Sequence, residues 1–486
     1  MKIRPTPGLT FDDILLVPKR SGIASRSAVD TRAWLTRHIS LAIPLISANM
    51  DTVTEANMAI AMARAGGLGA IHRFMTPERQ AAEVAKVKRA ESFVVELPAS
   101  ISPDASVAQA RQLLAELGIG GLLVTDAANH LLGMLTNRDV LLAPDPLAPV
   151  ASVMTRREQL ITLTAGGSQG DDLGKARALL HTHRIEKLPL LNATGEIIGL
   201  VTAQDIIKHE QFPDATKDSK GRLCAAAAVG VKPGDMERSQ ACVAAGADAL
   251  VVDIAHGHSD HAIQVVRELK QSFPHAEIIA GNVATAQGVR DLAEAGADAV
   301  KVGVGSGSIC TTRIVTGFGV PQLTAIIDCA EAARQVGVPL IADGGIRTGG
   351  DLTKALAAGA DTAMIGSLLA GTEESPGASV VRDGRRYKIV RGMASLSANI
   401  ERKMVEKGGE VDLVDWEQVV PEGVEALVPY RGAVIDLLHQ LVGGLRSGMS
   451  YAGARTLAAL QENAEFIQIT GAGMRESGAH DVEKIG

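Results

Sequence analysis

From about residue 221 the chain alternates two kinds of segment. Short apolar runs recur: CAAAAVGV, ALVVDIAHG, AEIIAGNV, DAVKVGVG, VPLIADGG and TAMIGSLL. Between them lie Ala-rich stretches with amphipathic spacing, such as MERSQACVAAGA and AQGVRDLAEAGA. Short apolar runs alternating with helical patterns predict parallel βαβ units. IPLISANM and GGLGAIH, much earlier, have the same character and would supply the first strands. About eight such repeats favour closure into an α/β (β/α)8 TIM barrel. A doubly wound sheet is the competing fold, but the GxGxxG expected at its first turn is not evident. The runs end in polar residues, namely Asn49, Asp51, His72, Asp253, Asn282, Cys310 and Asp343. A TIM barrel builds its active face from such strand ends.

Residues 93–212 break this rhythm with an internal repeat. LLGMLTNRDV and IIGLVTAQDI align residue for residue, and each copy ends as an apolar strand, Thr, two residues, Asp and an apolar helix start. The expected organisation is therefore 1–92 as the first part of the barrel, 93–212 as an inserted pair of small repeats, and 213–486 as the remainder. Pro98, Pro103, Pro144, Pro146, Pro149 and Pro213 mark the approximate hinges. The pair resembles a tandem CBS (Bateman) domain. That resemblance places Asp139 and Asp205 where the ribose of a regulatory adenine or guanine nucleotide is often held. The alternative is that each aspartate only caps its helix after Thr136 or Thr202.

Composition sets outer bounds. Of 486 residues, 46% are hydrophobic and only 2% aromatic, so Ala, Val, Ile and Leu must fill the core. There are 48 basic and 55 acidic residues, a formal charge of -7, with no long basic run. Nucleic-acid binding has no support, whereas local loops can still hold small anions. Cys224, Cys242, Cys310 and Cys329 form no CxxC pair, and no run of 18 apolar residues occurs. These features predict a reduced, cytoplasmic protein without a membrane segment. Three of the four cysteines have a simple reading: Cys224, Cys242 and Cys329 are buried thiols in Ala-rich surroundings.

Candidate chemistry gathers in KVGVGSGSICTTR, residues 301–313. Gly303, Gly305 and Gly307, with Ser306 and Ser308, allow backbone N–H groups to approach an anion. IADGGIR and MIGS supply further strand-end glycines, and late-strand loops often grip phosphate in this fold. One phosphate held by Ser308, Gly345, Gly366 and Ser367 is the expectation. Asp343 beside it suits a ribose diol, or else caps its own loop. Cys310 would then be either a small buried thiol or a nucleophile facing an electrophilic carbon of the bound base.

GSGSICTTR, with NMDTV at 49–53, DGGIR at 343–347, RGMAS at 391–395, PEGVE at 421–425 and GLRSGMSYAGA at 444–454, resembles the IMP dehydrogenase and GMP reductase family over essentially the whole chain. The resemblance implies a purine nucleoside 5'-monophosphate substrate. Cys310 would add to purine C2, where a nicotinamide coenzyme takes or gives a hydride. Asp343 would hold the ribose, Gly392 and Met393 would lie at the base, and Glu422 would accept from N1–H. Asp253, Asn282 and Gly303 would face the coenzyme. Carbonyls of Gly305, Gly307 and Cys310 would hold potassium or another monovalent cation, completed by Glu476, Ser477 and Gly478 of a neighbour. A homotetramer is implied, with an octamer as the larger assembly that a CBS-like pair would join.

The two family activities differ after the thioether forms. The dehydrogenase converts IMP, NAD and water to XMP, and its hydrolysis uses an Arg-Tyr pair in a flap, here about 396–428. Arg402 is followed by Lys403, and no tyrosine lies between 396 and 420. A thioether without an activating base hydrolyses slowly. The reductase needs no hydrolysis: GMP and NADPH give IMP, ammonia and NADP, with Thr312 and Glu422 as candidates to protonate the departing ammonia. ANMDTV, IADGGIRTGGD and DIAHGHS are similar to reductase segments. PEGVE and the CBS-like pair are nearer to a dehydrogenase, and Leu396 stands where many reductases carry Glu. Val390 and Ala394 depart from the family pattern around RGMAS, and Val390 removes one expected phosphate hydroxyl. Reductase is the preferred expectation, dehydrogenase the alternative, and a non-catalytic nucleotide sensor the third reading. His256, His258 and His261 lack a complete metal-ligand set. His72 and His480 are expected in loops or interfaces, and TGAGMRESGAH reads as a flexible tail unless a neighbour orders it.

Overall fold

The computed structural model describes residues 3–91, 98–164, 169–406 and 420–479. Contacts divide the chain into two compact units: residues 1–90, 214–218 and 223–486 in one, and 91–213 with 219–222 in the other.

The first unit is a closed barrel of eight parallel strands. In chain order they are β1 (Leu45–Ser47), β2 (Leu68–Ile71), β3 (Ala226–Val229), β4 (Ala249–Asp253), β5 (Glu277–Val283), β6 (Ala299–Val302), β7 (Leu340–Asp343) and β8 (Thr362–Ile365). The helices that follow them are α1 (Ala56–Arg64), α2 (Pro77–Ala90), α3 (Asp235–Ala244), α4 (Asp260–Ser272), α5 (Ala286–Glu294), α6 (Gln322–Val336), α7 (Gly349–Ala357) and α8 (Val434–Tyr451). β8 pairs with β1 through Met364 and Ile46, which closes the cylinder. The expectation of a TIM barrel begun by IPLISANM and GGLGAIH is met.

Two apolar layers explain why both faces of these strands are hydrophobic. Outward residues such as Leu250, Val252, Val300 and Val302 pack under the helices. Inward residues Ile46, Leu68, Ala70, Ala226, Val251, Ile279, Ala299, Ile341 and Met364 fill the barrel, with Leu35 and Leu41. Side chains alternate across a strand. Asp253 therefore continues the inward row of Ala249 and Val251, Lys301 that of Ala299, and Asp343 that of Ile341. The apolar filling gives way to charge in its last layer.

Several helices begin with sequence-legible caps. Ser259, Thr285 and Thr348 accept from backbone N–H groups of α4, α5 and α7. Cys224, Cys242 and Cys329 are buried, and burial pushes the Cys242 thiol up to about 11 and the Cys329 thiol up to about 12. They are inert core thiols, as expected.

Asp361, just before β8, accepts from the Leu340 N–H at 2.7 Å, yet burial raises its pKa from 3.8 to about 6. A carboxyl with a raised folded-state pKa destabilises the fold once it ionises. The penalty is absent below the unfolded value, grows between about 3.8 and 6, and is full above that. Asp361→Asn keeps the acceptor and removes the charge. It should raise stability by up to about 3 kcal/mol at about pH 8 and leave it unchanged at about pH 4. Thermal melts of both proteins across that range check the sign; a larger gain at the acid end would contradict it.

The second unit repeats one motif. Gly121–Thr125 pairs antiparallel with Leu131–Thr136, and Lys187–Leu191 with Ile197–Thr202. Each hairpin carries a register shift near the end of its first strand, at Val124/Thr125 and at Leu190/Leu191. Each runs directly into a helix, Asn137–Leu142 or Ala203–Gln211. The Asp139 carboxylate accepts from Thr136 N–H and Oγ1–H, both at 2.7 Å, so the capping reading of Asp139 is realised. The Asp205 side chain lies outside the described residues, as do His480 and much of the 396–428 flap. Among the described residues, no helix is long and apolar enough to cross a membrane.

Candidate functional site

Three segments far apart in sequence are stitched together at the C-terminal mouth of the barrel. Thr311 N–H donates to Glu422 O at 2.8 Å, Val424 N–H to Ile309 O at 3.0 Å, and Glu422 N–H to Ala394 O at 2.9 Å. Gly392 N–H closes the set on Val424 O at 3.0 Å. Glycine is needed where the segments cross: a Cβ on Gly423 would stand 3.2 Å from Ser395 N, and one on Gly392 would stand 3.2 Å from Ile309 O. The stitching brings Cys310, Thr312, Met393 and Glu422 into one place.

Within it runs a chain of hydrogen bonds. The Cys310 thiol donates to Thr312 Oγ1 at 3.2 Å, and the Thr312 hydroxyl donates to Glu422 Oε2 at 2.8 Å. A proton leaving sulfur therefore has a continuous path to a carboxylate, and the same path serves in reverse. Cys310 is neither fully buried nor freely exposed.

Two clefts meet at this point. One, of about 420 Å³, is lined by Ser308, Gly345, Gly366 and Ser367 together with Arg347 and Arg431. The four residues expected to hold a phosphate thus share one wall, and the Ser308 and Ser367 hydroxyls bond each other. Arg347 is engaged by Asp12 and Asp351, which hold its guanidinium above the ordinary range. The other cleft, of about 380 Å³, is lined by Cys310, Thr312, Asp253, Asn282, Gly303, Met393, Asn399 and Arg402. Both volumes fall within the range of small-molecule sites. Ser306, Gly307, Asp343 and Gly344 border both clefts.

Lys301 organises the floor between them. It is 1% exposed, and its ammonium donates to Asp253 Oδ1 at 2.9 Å, to Asp343 Oδ2 at 2.7 Å and to Asn282 Oδ1. Burial alone would depress the ammonium, but the Asp253 and Asp343 carboxylates hold it above the ordinary lysine value. Against the burial that would raise it, Lys301 holds Asp253 below the usual carboxylate range. Asn282 Nδ2–H donates to Asp343 Oδ2 at 2.9 Å and to Gly303 O at 2.7 Å. These bonds fall on one Asp343 oxygen, which leaves Oδ1 for a ligand. Lys301 had no role in the sequence reading. A lysine in the inward row of an apolar strand was the signal, and only the partner carboxylates from β4 and β7 give it meaning.

Other expected residues are placed more loosely. Gly307 O already accepts from Cys310 N–H at 3.1 Å. Gly305 lies in the same loop, while Glu476, Ser477 and Gly478 end a short helix, Gly471–Glu476, of this chain. Asp51 is bound to Arg391, which also pairs with Glu401. His72 lies in the loop just after β2, as expected; it is 3% exposed, bonded to Glu55 at 3.3 Å, and accepts from Phe74 N–H at 3.1 Å. His258 pairs with Asp291 at 2.7 Å, and His261 bonds Val231 O. Among the described residues, no group of three or more His, Cys, Asp or Glu side chains is arranged to hold a metal.

Comparison with known proteins identifies the family. The family model for the IMP dehydrogenase / GMP reductase domain matches residues 8–480. An inosine-5'-monophosphate dehydrogenase of Nitrosopumilus maritimus is 55% identical over 478 residues, 98% of each chain. A GMP reductase of Leishmania donovani is 49% identical over 486 residues, again 98% of each. The crystal structure of a cysteine-to-alanine GMP reductase from Trypanosoma brucei, in complex with guanosine 5'-monophosphate, superposes with a TM-score of 0.90 at 45% identity, covering 98% of both chains. The relatives are purine-nucleotide oxidoreductases that use NAD(P) coenzymes, and the chain belongs to the IMP dehydrogenase / GMP reductase family.

Proposed function

We propose that the protein is a GMP reductase, converting GMP and NADPH to IMP, ammonia and NADP. The observation that carries this reading is the relay from Cys310 through Thr312 to Glu422, in a chain whose flap has no Arg-Tyr pair. Its three tyrosines are Tyr387, Tyr430 and Tyr451, none of them between 396 and 420.

The residues divide the work as follows. Ser308, Gly345, Gly366 and Ser367 grip the 5'-phosphate, and Asp343 Oδ1 takes the ribose diol. Gly392 and Met393 bound the base, and Glu422 accepts from N1–H. Thr312 passes the Cys310 proton to Glu422, and the thiolate adds to C2. The proton returns to the exocyclic amine, the C2–N bond breaks, and ammonia leaves a thioether at C2. A nicotinamide coenzyme supplies the hydride to C2, after which the C2–S bond breaks and sulfur leaves as thiolate. Asp253, Asn282 and Gly303 line the cleft beside Cys310, where the nicotinamide end fits, with Lys301 keeping Asp253 and Asn282 in place. The carbonyls of Gly305, Gly307 and Cys310 suit a potassium-type ion, with Glu476, Ser477 and Gly478 supplied by a neighbouring copy in a homotetramer. The repeated second unit suits a CBS-like regulatory pair for adenine or guanine nucleotides, which would also join tetramers into an octamer.

The second reading is IMP dehydrogenase. Arg402 lines the Cys310 cleft and donates to Asn399 at 2.9 Å, so one arginine of the flap does reach the chemistry. Two assays separate the readings. GMP with NADPH should yield IMP and ammonia, and IMP with NAD should yield no multiple-turnover XMP. Steady XMP production at a rate matching or exceeding GMP reduction would sink the reductase assignment. Nucleotide binding with neither turnover would leave a sensor.

A further inference from the structure

The turn that carries Thr312 is held from behind by its neighbour, Arg313. Thr312–Thr316 is one short helix, closed by Gly317 in the left-handed conformation. Its apolar residues do not anchor it within this chain: Ile314 is 88% exposed, and Phe318, just beyond it, 76%. Thr311 N–H ties the front of the turn to Glu422 O at 2.8 Å. Arg313 ties the back. Its Nη2–H donates to Val320 O at 2.6 Å and reaches Val304 O at 3.5 Å. Those carbonyls stand at the two ends of the Cys310 loop, nine residues before Arg313 and seven after it.

A slot is built for this side chain. Gly305 and Gly319 both sit at positive φ, 74° and 154°. A Cβ on Gly305 would stand 2.6 Å from Arg313 Cγ and 2.9 Å from its Nε. One on Gly319 would stand 2.6 Å and 2.8 Å from the same atoms. Glycine at both places lets the arginine stem pass between the two ends of the loop. Among the described residues, the Arg313 Nε has no hydrogen-bond partner, and it is inaccessible to solvent. A buried, unsatisfied donor costs stability, and an aliphatic side chain would fill the slot without that cost. What the guanidinium adds is its reach to two carbonyls at once.

The consequence falls on Thr312. To pass a proton, its hydroxyl must stay between Cys310 Sγ, at 3.2 Å, and Glu422 Oε2, at 2.8 Å. We propose that Arg313 is a positioning residue for this relay: it joins the two ends of the Cys310 loop and so keeps the Thr312 hydroxyl between thiol and carboxylate. This rests on the relay through Thr312 and not on the direction of hydride transfer.

The test is a double-mutant cycle in the full-length protein. Arg313→Gln should lower kcat for GMP reduction by about ten- to a hundredfold, the scale of a misplaced catalytic group. The KM values for GMP and NADPH should change by about threefold at most. In a Thr312→Val background there is no hydroxyl to position, so Arg313→Gln should then cost less than about threefold. An equal cost in both backgrounds would show a merely structural role and overturn the proposal. So would a kcat within about threefold of the parent for Arg313→Gln alone, or a loss carried by KM. Arg313→Lys keeps the charge and reaches one carbonyl, so it should lose less in kcat than the glutamine variant. If the glutamine variant does not fold, the lysine variant takes its place in the cycle, with the same comparison of backgrounds. A Thr312→Val variant with the parent's kcat would remove the relay, and this inference with it. If the protein oxidises IMP instead, the reductase reading falls, and the same cycle read on NADH formation decides this inference.

Discussion

Cys310→Ala is expected to abolish turnover, with a loss on the order of 10⁴-fold or more in kcat, while GMP still binds. The thiol is the proposed nucleophile and lines one of the two clefts, and the loop around it is held by backbone contacts from Thr311, Ile309 and Val424. Those contacts do not involve the sulfur, so alanine should leave the loop in place. The phosphate-gripping wall of Ser308, Gly345, Gly366 and Ser367 is likewise untouched. Initial rates of coenzyme consumption, paired with calorimetric titration of GMP, give both quantities. Retained turnover would refute covalent catalysis, whichever direction the hydride takes.

The second large effect is at Glu422. Glu422→Gln preserves shape, the backbone bonds to Thr311 and Ala394, and an acceptor for N1–H, but removes the group that takes and returns the proton. General acid–base catalysis is worth roughly 10²–10⁴-fold, and the variant should lose that much in kcat with the KM for GMP changed only a few-fold. Its hydrogen bond from Thr312 at 2.8 Å makes it the terminus of the relay. A loss of less than tenfold, as measured by steady-state kinetics, would move the proton to another group.

Some of this was legible in local sequence and some was not. The barrel strands were readable because a strand buried on both faces needs an uninterrupted apolar run, and runs such as ALVVD and EIIAGNV contain little else. The repeat was readable because LLGMLTNRDV and IIGLVTAQDI preserve the same hairpin-to-helix step, and the structure carries it down to matching register shifts. Ser308, Gly345, Gly366 and Ser367, grouped in the sequence by their place at strand ends, do line one cleft. Asp139 is a counter-example: its side chain has a local use, capping after Thr136, that accounts for the residue without any nucleotide.

Lys301 was not legible. Its important contacts lie outside its own segment. Lys301 looks like an interruption in AVKV until β4 and β7 bring Asp253 and Asp343 within 3 Å of its ammonium.

By itself the sequence determined the barrel and the inserted repeat, and it singled out Cys310 in its glycine-serine loop as a candidate nucleophile, since periodicity and strand-end chemistry are local properties. Only the tertiary structure showed that Glu422, already a candidate, ends a hydrogen-bond chain from Cys310, and which cation sets the charge of the floor. Those depend on electrostatic and hydrogen-bond partners about 40 to 110 residues apart or more, as between Lys301 and Asp343 or Thr312 and Glu422, and closure of the barrel is what brings them within reach.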